Sequence, residues 1–354
     1  MTLRIGIIGA GFARRVQLPG LRLVPGVRPV AIASRQRANA EAAAREFGIP
    51  VVFEDGIALA RSPDVDLVIV SSTPPSHVEY VVAALEAGKH VLCEKPVALD
   101  ATEAWRMVEA AERHPPQAAW MDHELRYEPN RRKVRELIGA GAIGEVRHLE
   151  LTLKPYLRGD GRPQTSAAPW TWWFDRSQGG GILGAVGSHL IDLCRFWTGR
   201  EVSHVAGLVE TFMRARRDTA GATRAATADE FASGVITMGD GVVATVTLSA
   251  VAYHGAGHLA QITGSEGTLL LTGETKLEIG KPGGPLEDIS ASDDLVGQTT
   301  VNNMWARSFV RLMRDLVSVV TGREPEGKPA GFRDGWQIQR VLDAMRAGRG
   351  APLD

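Results

Sequence analysis

The chain has 354 residues, 44% of them hydrophobic and 23% charged, which is the balance of a folded globular protein and not of a disordered one. Its 40 Lys and Arg nearly cancel its 41 Asp and Glu, so no strong overall field favours nucleic acid or an anionic membrane as a partner. The length predicts two domains. The lack of a leader pattern and of a long apolar run predicts a cytoplasmic protein without membrane spans.

Only two cysteines occur, Cys93 and Cys194, and neither belongs to a CxxC pair or a His-rich cluster. The sequence therefore predicts neither a metal site nor a disulfide framework, and it fits a reducing compartment.

The first third of the chain alternates short apolar, β-branched runs with Ala-rich helical stretches. This alternation is typical of a parallel sheet with crossover helices, so we predict a doubly wound Rossmann domain over residues 1–122. The predicted strands are 4–8, 29–34, 65–71, 90–93 and 117–121, and the predicted helices are 38–47 and 77–87.

From residue 123 to residue 354 strand patterns dominate, which predicts a C-terminal α/β domain with a large open, mostly antiparallel sheet. The polar stretch 214–228 is interpreted as a surface loop. The predicted strands are 146–153, 202–212, 234–238, 242–250, 259–263 and 267–271, and the predicted helices are 130–140, 182–198, 301–322 and 332–347.

Gly9-Ala10-Gly11 directly follows the first strand and opens a helix, which is the context that a dinucleotide-binding loop requires. Arg14 stands where the third glycine of that motif is expected, and the small Ala13 is a candidate to provide the close packing instead. A purely structural turn is the alternative interpretation.

The second strand ends in Ser34 and Arg35, where an NAD-specific site would offer Asp or Glu to the ribose. Ser34 can donate to a 2′-phosphate and Arg35, helped by Arg37, can pair with its charge, so NADP is favoured and NAD is second. The alternative is a solvated arginine on a loop.

Several further motifs occur in a fixed order, and with the glycine loop they resemble the Gfo/Idh/MocA family of oxidoreductases over nearly the whole chain. They are Thr73-Pro74-Pro75 with His77, the run from Ala84 to His90, Glu94-Lys95-Pro96, Gly179-Gly180-Gly181, and Gly187-Ser188-His189 with Asp192. The resemblance implies an NAD(P)-dependent dehydrogenase or reductase that transfers hydride between nicotinamide and a sugar, a polyol or a sugar-derived ketone. It also implies that the domain over residues 123–354 serves substrate binding and oligomerisation, as a homodimer or homotetramer.

The glycine loop, the second strand and the resemblance together predict a set of cofactor-binding residues. Two residues are expected to be catalytic. The cofactor set is Gly9, Gly11, Phe12, Ala13, Ser34, Arg35, Thr73, Pro74, His77, Glu94 and Lys95, and the catalytic pair is Lys95 and His189.

Lys95 follows a buried strand at its carboxyl end, where doubly wound sheets bind ligands. The resemblance assigns this lysine to the substrate oxygen, whereas a surface ion pair with Glu94 is the alternative. His189 suits proton transfer because the ordinary pKa of histidine is near ~6.5. Asp192 shares a helix face with His189 and is expected to bind substrate hydroxyls.

One position departs from the family pattern: many relatives carry Asp four residues before this histidine, where this chain has Ala185. Glu124 and Asp175 are candidates to replace that acid, unless Lys95 and His189 suffice. Glu124 is expected at the substrate, and an ion pair with Arg126 is the equally weighted alternative.

Aromatic and polar residues elsewhere complete the candidate substrate site. Trp172, in a cluster with Trp170 and Trp173, can stack on a sugar ring, although core packing or a subunit interface explains the cluster equally well. Weaker candidates are Tyr156, Arg158 and His254. Three other functions stay open: an NAD-assisted glycosidase, a non-catalytic, nucleotide-binding regulatory protein, and a dehydrogenase for a non-carbohydrate substrate such as a biliverdin-like or dihydrodiol compound.

Overall fold

The computed structural model describes residues 2–154, 168–255, 257–273, 275–298, 303–348 and 351–352. The chain forms two compact units. The first consists of Met1–Glu128 and Asp293–Trp336, and the second of Pro129–Ser292 and Gln337–Asp354. Among the described residues, no helix is long and apolar enough to cross a membrane.

The elements are numbered in chain order. The strands of the described part are β1 (Leu3–Ile8), β2 (Val27–Ala33), β3 (Val51–Phe53), β4 (Leu67–Val70), β5 (His90–Cys93), β6 (Ala119–Met121), β7 (Val146–Lys154), β8 (Val202–Glu210), β9 (Ala215–Arg217), β10 (Thr223–Ala225), β11 (Phe231–Met238), β12 (Val242–Ser249), β13 (Gly257–Gly264), β14 (Thr268–Thr272), β15 (Lys276–Gly280), β16 (Leu286–Asp288), β17 (Ala330–Gly331) and β18 (Ala351–Pro352). The α-helices are α1 (Leu18–Leu21), α2 (Arg37–Phe47), α3 (Gly56–Ala60), α4 (His77–Glu86), α5 (Ala101–Arg113), α6 (Pro129–Gly139), α7 (Ser188–Thr198), α8 (Met304–Val320) and α9 (Phe332–Ala347).

The first unit is built on one sheet with the strand order β17-β6-β5-β4-β1-β2-β3. Strands β1 to β6 run parallel, and β17 pairs antiparallel with β6 at the edge. All four residues of β4 are buried, as expected for a central parallel strand covered on both faces. This is the predicted doubly wound Rossmann sheet, and sheets of this kind bind ligands at the carboxyl ends of their strands.

The second unit is built on a sheet with the order β16-β15-β14-β13-β7-β12-β11-β8-β18. Only the β7–β12 pair is parallel, and the other neighbours are antiparallel, so the predicted mostly antiparallel sheet is confirmed. In β12 buried and more exposed residues alternate over its first half, because one face of the strand packs into the core. Helix α7 packs against β7 and β12 and carries residues of the candidate site.

The structure differs from the sequence-based description in the stretch Asp293–Trp336, which lies in the first unit although residues 123–354 were predicted to form one domain. The reason is the apolar face of α8. Phe309, Val310 and Leu316 belong to the same buried cluster as Leu3 and Ile5 of β1.

Two local assignments also need correction. The stretch 214–228 is not a plain loop, because β9 and β10 pair antiparallel within it and Asp218 accepts hydrogen bonds from the turn amides of Ala220 and Ala222. Helix α5 was not predicted at all. Its sequence signal is an N-cap residue, since Asp100 at its start accepts a hydrogen bond from the amide of Glu103.

Candidate active site

The loop after β1 contains two glycines with different surroundings. Gly9 has φ of 107°, and a Cβ there would lie 2.2 Å from the carbonyl oxygen of Ser71. At Gly11, by contrast, a Cβ would have no neighbour within 4 Å. The first glycine is therefore required by the fold, and the second leaves open space where a phosphate can approach the backbone.

The residues that follow Gly11 differ in how far they are exposed to solvent. Ala13 is fully buried, whereas Arg14 is exposed and pairs with Glu46. Ala13 thus provides the close packing of helix on sheet that the third glycine of the motif usually allows. Phe12 is half-buried, and its ring lies 5.5 Å from Nζ of Lys95.

Ser34 and Arg35 directly follow β2, whose last residue, Ala33, accepts a hydrogen bond from the amide of Gly9. Ser34 is half-buried and Arg35 is exposed. Arg37 is engaged elsewhere, because its guanidinium contacts Glu41 at 2.8 Å and Glu54 at 2.6 Å. Of the three residues considered for a 2′-phosphate, Arg37 is therefore the one held by neighbouring carboxylates.

The loop after β4 contains Thr73, the buried Pro74 and, at the start of α4, His77. The His77 ring is fully buried among backbone carbonyls: Nδ1 lies 3.1 Å from the oxygen of Pro96, and Nε2 lies 3.1 Å from the oxygen of Ser72. Burial lowers its pKa, although these carbonyl contacts oppose the shift. His77 thus joins the loops after β4 and β5 through backbone contacts and so positions the segment that contains Lys95.

Lys95 stands just beyond β5, with a side chain that is 13% exposed. Its Nζ is 3.9 Å from Oε2 of Glu94 and 5.7 Å from the Trp305 ring centre. The predicted contact with Glu94 therefore exists, but it is largely buried and not a surface ion pair. Trp305, at the start of α8, was not found from the sequence, because nothing near it in the chain indicates that it meets a residue 210 positions away.

A buried acidic cluster lies directly behind Lys95. The side-chain nitrogen of Gln17 donates to Oε1 of Glu94 at 2.8 Å and to Oδ2 of Asp122 at 3.0 Å. Burial raises the pKa of Glu94, against the opposing effect of Lys95. Burial, together with the nearby carboxylates of Glu94 and Glu124, raises the pKa of Asp122 well above its ordinary value.

Glu124 lies in a fully buried 3₁₀ turn after β6. The sequence left open an ion pair between Glu124 and Arg126. The Arg126 guanidinium lies 3.3 Å from Asp334 and donates to the carbonyl oxygens of Lys328 and Pro329. A substrate role for Glu124 stays a prediction.

In the second unit the glycine triplet is required by close backbone packing. Gly179 and Gly181 have positive φ, and a Cβ on Gly180 would lie 2.3 Å from the carbonyl oxygen of Trp173. Gly181 faces the buried carboxylate of Asp229, which accepts a hydrogen bond from the Leu183 amide at 2.7 Å. Burial raises the pKa of Asp229, against this hydrogen bond. The triplet thus fixes how the chain enters α7.

His189 lies in the first turn of α7 and is fully buried, and Asp192 on the same helix is 1% exposed. A single π-helical turn, Leu183–Gly187, precedes them and contains Ala185, which is half-buried. Asp175, the other candidate to replace the missing acid, is the side-chain cap of the turn Arg176–Gln178 and accepts hydrogen bonds from Ser177. One of its carboxylate oxygens, Oδ1, is thus used locally.

The three tryptophans of the cluster differ in their contacts with neighbouring residues. Trp170 donates to the carbonyl oxygen of Ala225 at 2.9 Å, and Trp173 stacks edge-on against Phe174. Trp172 is half-buried at the start of a 3₁₀ turn. His254 is exposed and has φ of 54°, whereas Tyr156 and Arg158 lie outside the described residues.

The loop residues of the first unit fit a dinucleotide. The observation is local: the chain has open space at Gly11, a backbone that excludes any side chain at Gly9, and a helix that begins immediately afterwards. A phosphate group would meet backbone amides and the helix N-terminus there. In the part of the chain that is described, no group of three or more His, Cys, Asp or Glu is arranged to hold a metal ion.

Comparison with known proteins agrees with this geometry. Residues 3–123 match the model of an oxidoreductase family with an NAD-binding Rossmann fold, and residues 131–270 match the model of the GFO/IDH/MocA C-terminal domain. The chain belongs to the Gfo/Idh/MocA family of oxidoreductases. The resemblance inferred from the motifs is thereby confirmed, and the Gfo/Idh/MocA assignment covers both units.

Relatives within the Gfo/Idh/MocA family match most of the chain. An uncharacterised oxidoreductase of Synechocystis is 31% identical over 76% of this chain and 71% of its own length. The structure of an oxidoreductase domain protein from Kribbella flavida is 27% identical, with a TM-score of 0.85 and complete coverage of both chains. A levoglucosan dehydrogenase in complex with NADH and L-sorbose has the same fold, with a TM-score of 0.87, 21% identity and coverage of 100% and 99%.

Proposed function

We propose that the protein is a dehydrogenase or reductase that uses NADP in preference to NAD and acts on the alcohol or ketone group of a sugar, a polyol or a sugar derivative. The observation that carries this proposal is Lys95. Its largely buried amine lies at the carboxyl end of a Rossmann strand, beside a glycine loop that fits a dinucleotide.

The nicotinamide, when bound, supplies or accepts the hydride. Lys95 polarises the substrate oxygen through its ammonium group, and His189 takes the hydroxyl proton during oxidation or returns it during reduction. Asp192, Glu124 and Trp172 bind the substrate, the acids by accepting from hydroxyl groups and the indole by contact with the C–H face of the sugar.

The residues proposed to hold the cofactor can be grouped by the part of the cofactor that they contact. Gly9, Gly11 and Ala13 form the loop that admits the pyrophosphate, while Ser34 and Arg35 meet the ribose 2′-phosphate. The remaining members, placed by the loops that follow β1, β4 and β5, are Phe12, Thr73, Pro74, His77, Glu94 and Lys95. Within this set His77 acts through the backbone carbonyls that it contacts.

Two observations support the preference for NADP. No acid follows β2, and Arg35 is exposed at its end. A guanidinium pairs with a phosphate by charge-assisted hydrogen bonds, which the ribose hydroxyl of NAD cannot form. The carbohydrate class of substrate is supported by the half-buried Trp172 and by one structural neighbour, the levoglucosan dehydrogenase in complex with NADH and L-sorbose.

We further propose a homodimer or homotetramer formed through one face of the second unit's sheet. Leu208 of β8, Val235 of β11 and Val243 of β12 point to the same face and are 54%, 48% and 37% exposed. Apolar side chains gathered on one exposed face are typical of protein interfaces.

The test is a spectrophotometric screen of NADP and NAD against sugars, inositols, sugar acids and their keto derivatives. We expect one substrate class to be turned over, and Lys95→Met and His189→Gln to lose about 10²–10⁴-fold in kcat, the range for a lost acid–base group. Lys328→Met, which changes an exposed lysine of the first unit, should retain full activity.

The cofactor preference is checked with the same assay. Arg35→Ala should raise KM for NADP about 10- to 100-fold and leave KM for NAD nearly unchanged, because only the phosphate loses a charged partner. Equal effects on both cofactors would refute the preference. A cofactor that binds but is never turned over would refute the dehydrogenase and favour an NAD-assisted glycosidase or a regulatory protein.

A further inference from the structure

Two buried carboxyl groups behind Lys95 share one amide donor. Gln17, Glu94 and Asp122 are 0%, 6% and 0% exposed, and the Gln17 nitrogen donates to one oxygen of each acid at 2.8 and 3.0 Å. The shared donor brings the two carboxyl groups close together, and within the described part of the chain the other oxygen of Asp122, Oδ1, is buried without a hydrogen-bond partner. Two carboxyl groups can hydrogen-bond to each other only if one of them carries a proton.

The charges around this pair do not balance two ionised acids. Lys95 lies 3.9 Å from Oε2 of Glu94, whereas Gln17 contacts the other oxygen, Oε1. The titratable groups that interact with Asp122 include Glu94, Glu124 and the buried thiol of Cys93. Each of these adds negative charge or none, so two ionised carboxylates would repel each other in a medium that screens poorly.

We propose that Asp122 is a positioning residue that is kept as a neutral acid and shares its proton with Glu94, so that the pair presents a single negative charge to Lys95. The role in catalysis rests on the proposed function of Lys95, whereas the shared proton does not.

The arrangement gives each oxygen of Glu94 a defined task. Oε1 accepts from Gln17, and Oε2 faces both Nζ and, at 3.3 Å, the backbone amide of Lys95. The proton of Asp122 adds a further donor to the same carboxylate and holds it in one orientation. Lys95 is thereby held in place by a fixed partner and by the rings of Phe12 and Trp305.

The shared proton also predicts how stability depends on pH. Burial raises the pKa of Asp122, so above the unfolded value of ~3.9 the folded state binds a proton that the unfolded state has lost. The free energy of unfolding therefore decreases as pH rises through that window. Asp122→Asn removes this contribution, so the variant should gain stability relative to the wild type as pH rises above the unfolded value of ~3.9.

The proton itself is tested by infrared spectroscopy at neutral pH on the full chain. The difference spectrum of wild type minus Asp122→Asn should contain the carbonyl band of a protonated carboxylic acid, shifted in D₂O. Asp64→Asn, which changes an exposed acid, should give no such band. Absence of the band from the Asp122 difference spectrum would overturn the shared proton.

The positioning role is tested by pH–activity profiles. The asparagine amide can donate to Glu94 as the neutral acid does, so Asp122→Asn should keep the alkaline limb of the wild-type profile. Asp122→Ala should lose about tenfold or more in kcat with a smaller change in KM, because Glu94 loses a donor. If Asp122 were ionised, Asp122→Asn would instead move the alkaline limb to lower pH, which would overturn the proposal.

A different result would separate the two parts of the proposal. If Lys95→Met kept full activity while the infrared band was present, the proposed function and the positioning role that rests on it would both be refuted, and the shared proton would stand.

Discussion

Gly9 and Gly11 occupy the same loop, but a side chain would have different neighbours at the two positions. At Gly9 both the positive φ and the Ser71 carbonyl exclude a side chain, which makes this glycine a folding requirement. At Gly11 a methyl group would enter open space, so only a bound ligand would meet it. The two positions thus separate stability from cofactor binding.

We expect Gly9→Ala to destabilise the first unit by about 1–3 kcal/mol or more, through backbone strain and the clash with Ser71. Gly11→Ala should leave the melting temperature unchanged and weaken binding of the nucleotide. Thermal unfolding and nucleotide titration measure the two effects. Gly139→Ala, which also adds a methyl group to open space but lies in α6, is the control for both. Unaltered nucleotide affinity in Gly11→Ala would contradict the assignment of the loop.

At the scale of single residues, the sequence identified side chains whose neighbours lie nearby in the chain. The glycine loop and Lys95 with Glu94 are of this kind. Gln17, Asp122 and Trp305 were missed, since their meeting with the Glu94–Lys95 turn depends on strand order and helix packing, which periodicity does not encode. Asp122, a charged residue at the end of a buried strand, was the one available signal.

Helix α8 illustrates what an element contributes beyond its position in the chain. Residues such as Phe309, Val310 and Leu316 form an apolar face that completes the core of the first unit. Phe309 is 1% exposed and packs against Gly20, where even a Cβ would approach its ring to 3.0 Å. The first unit therefore depends on a segment that lies between strands β16 and β18 of the second unit in the chain.

Phe309→Ala should lower the free energy of unfolding by about 3–5 kcal/mol, the usual cost of removing a buried aromatic ring. Val51→Ala removes a side chain that is 46% exposed in the same unit and should cost about 0.5 kcal/mol or less. Urea denaturation monitored by circular dichroism compares the two. A cost for Phe309→Ala as small as that for Val51→Ala would mean that α8 is dispensable for this core.

Helices and strands with strong local signals were predictable, and those fixed by packing were not. Strand β5 and helix α9 match the prediction residue for residue, because apolar periodicity and clear boundaries coincide. The prediction gave no reason to assign α8 to the first unit, because the apolar face of a helix does not identify the element against which it packs. The π-helical turn Leu183–Gly187 also escaped, because nothing in its composition separates it from ordinary helix.

At the scale of the whole molecule, the exposed sheet face of the second unit governs the proposed assembly. Leu208→Glu places a charge on that face, next to Ser233 of the neighbouring strand. We expect the variant to be a monomer by light scattering, because an unpaired charge in an apolar interface is costly. Lys276→Glu, on the more distant strand β15, should leave the assembly unchanged. An unaltered mass for Leu208→Glu would place the interface elsewhere.

The central claim is hydride transfer, and isotope transfer tests it directly. The substrate found in the cofactor screen is prepared with deuterium on the carbon that bears the hydroxyl group and is incubated with the protein and NADP. The proposed function predicts that mass spectrometry finds one deuterium in the reduced cofactor, and that Lys95→Met and His189→Gln slow its appearance. Product formation with deuterium retained on the product, or lost to water, would contradict direct transfer to the nicotinamide.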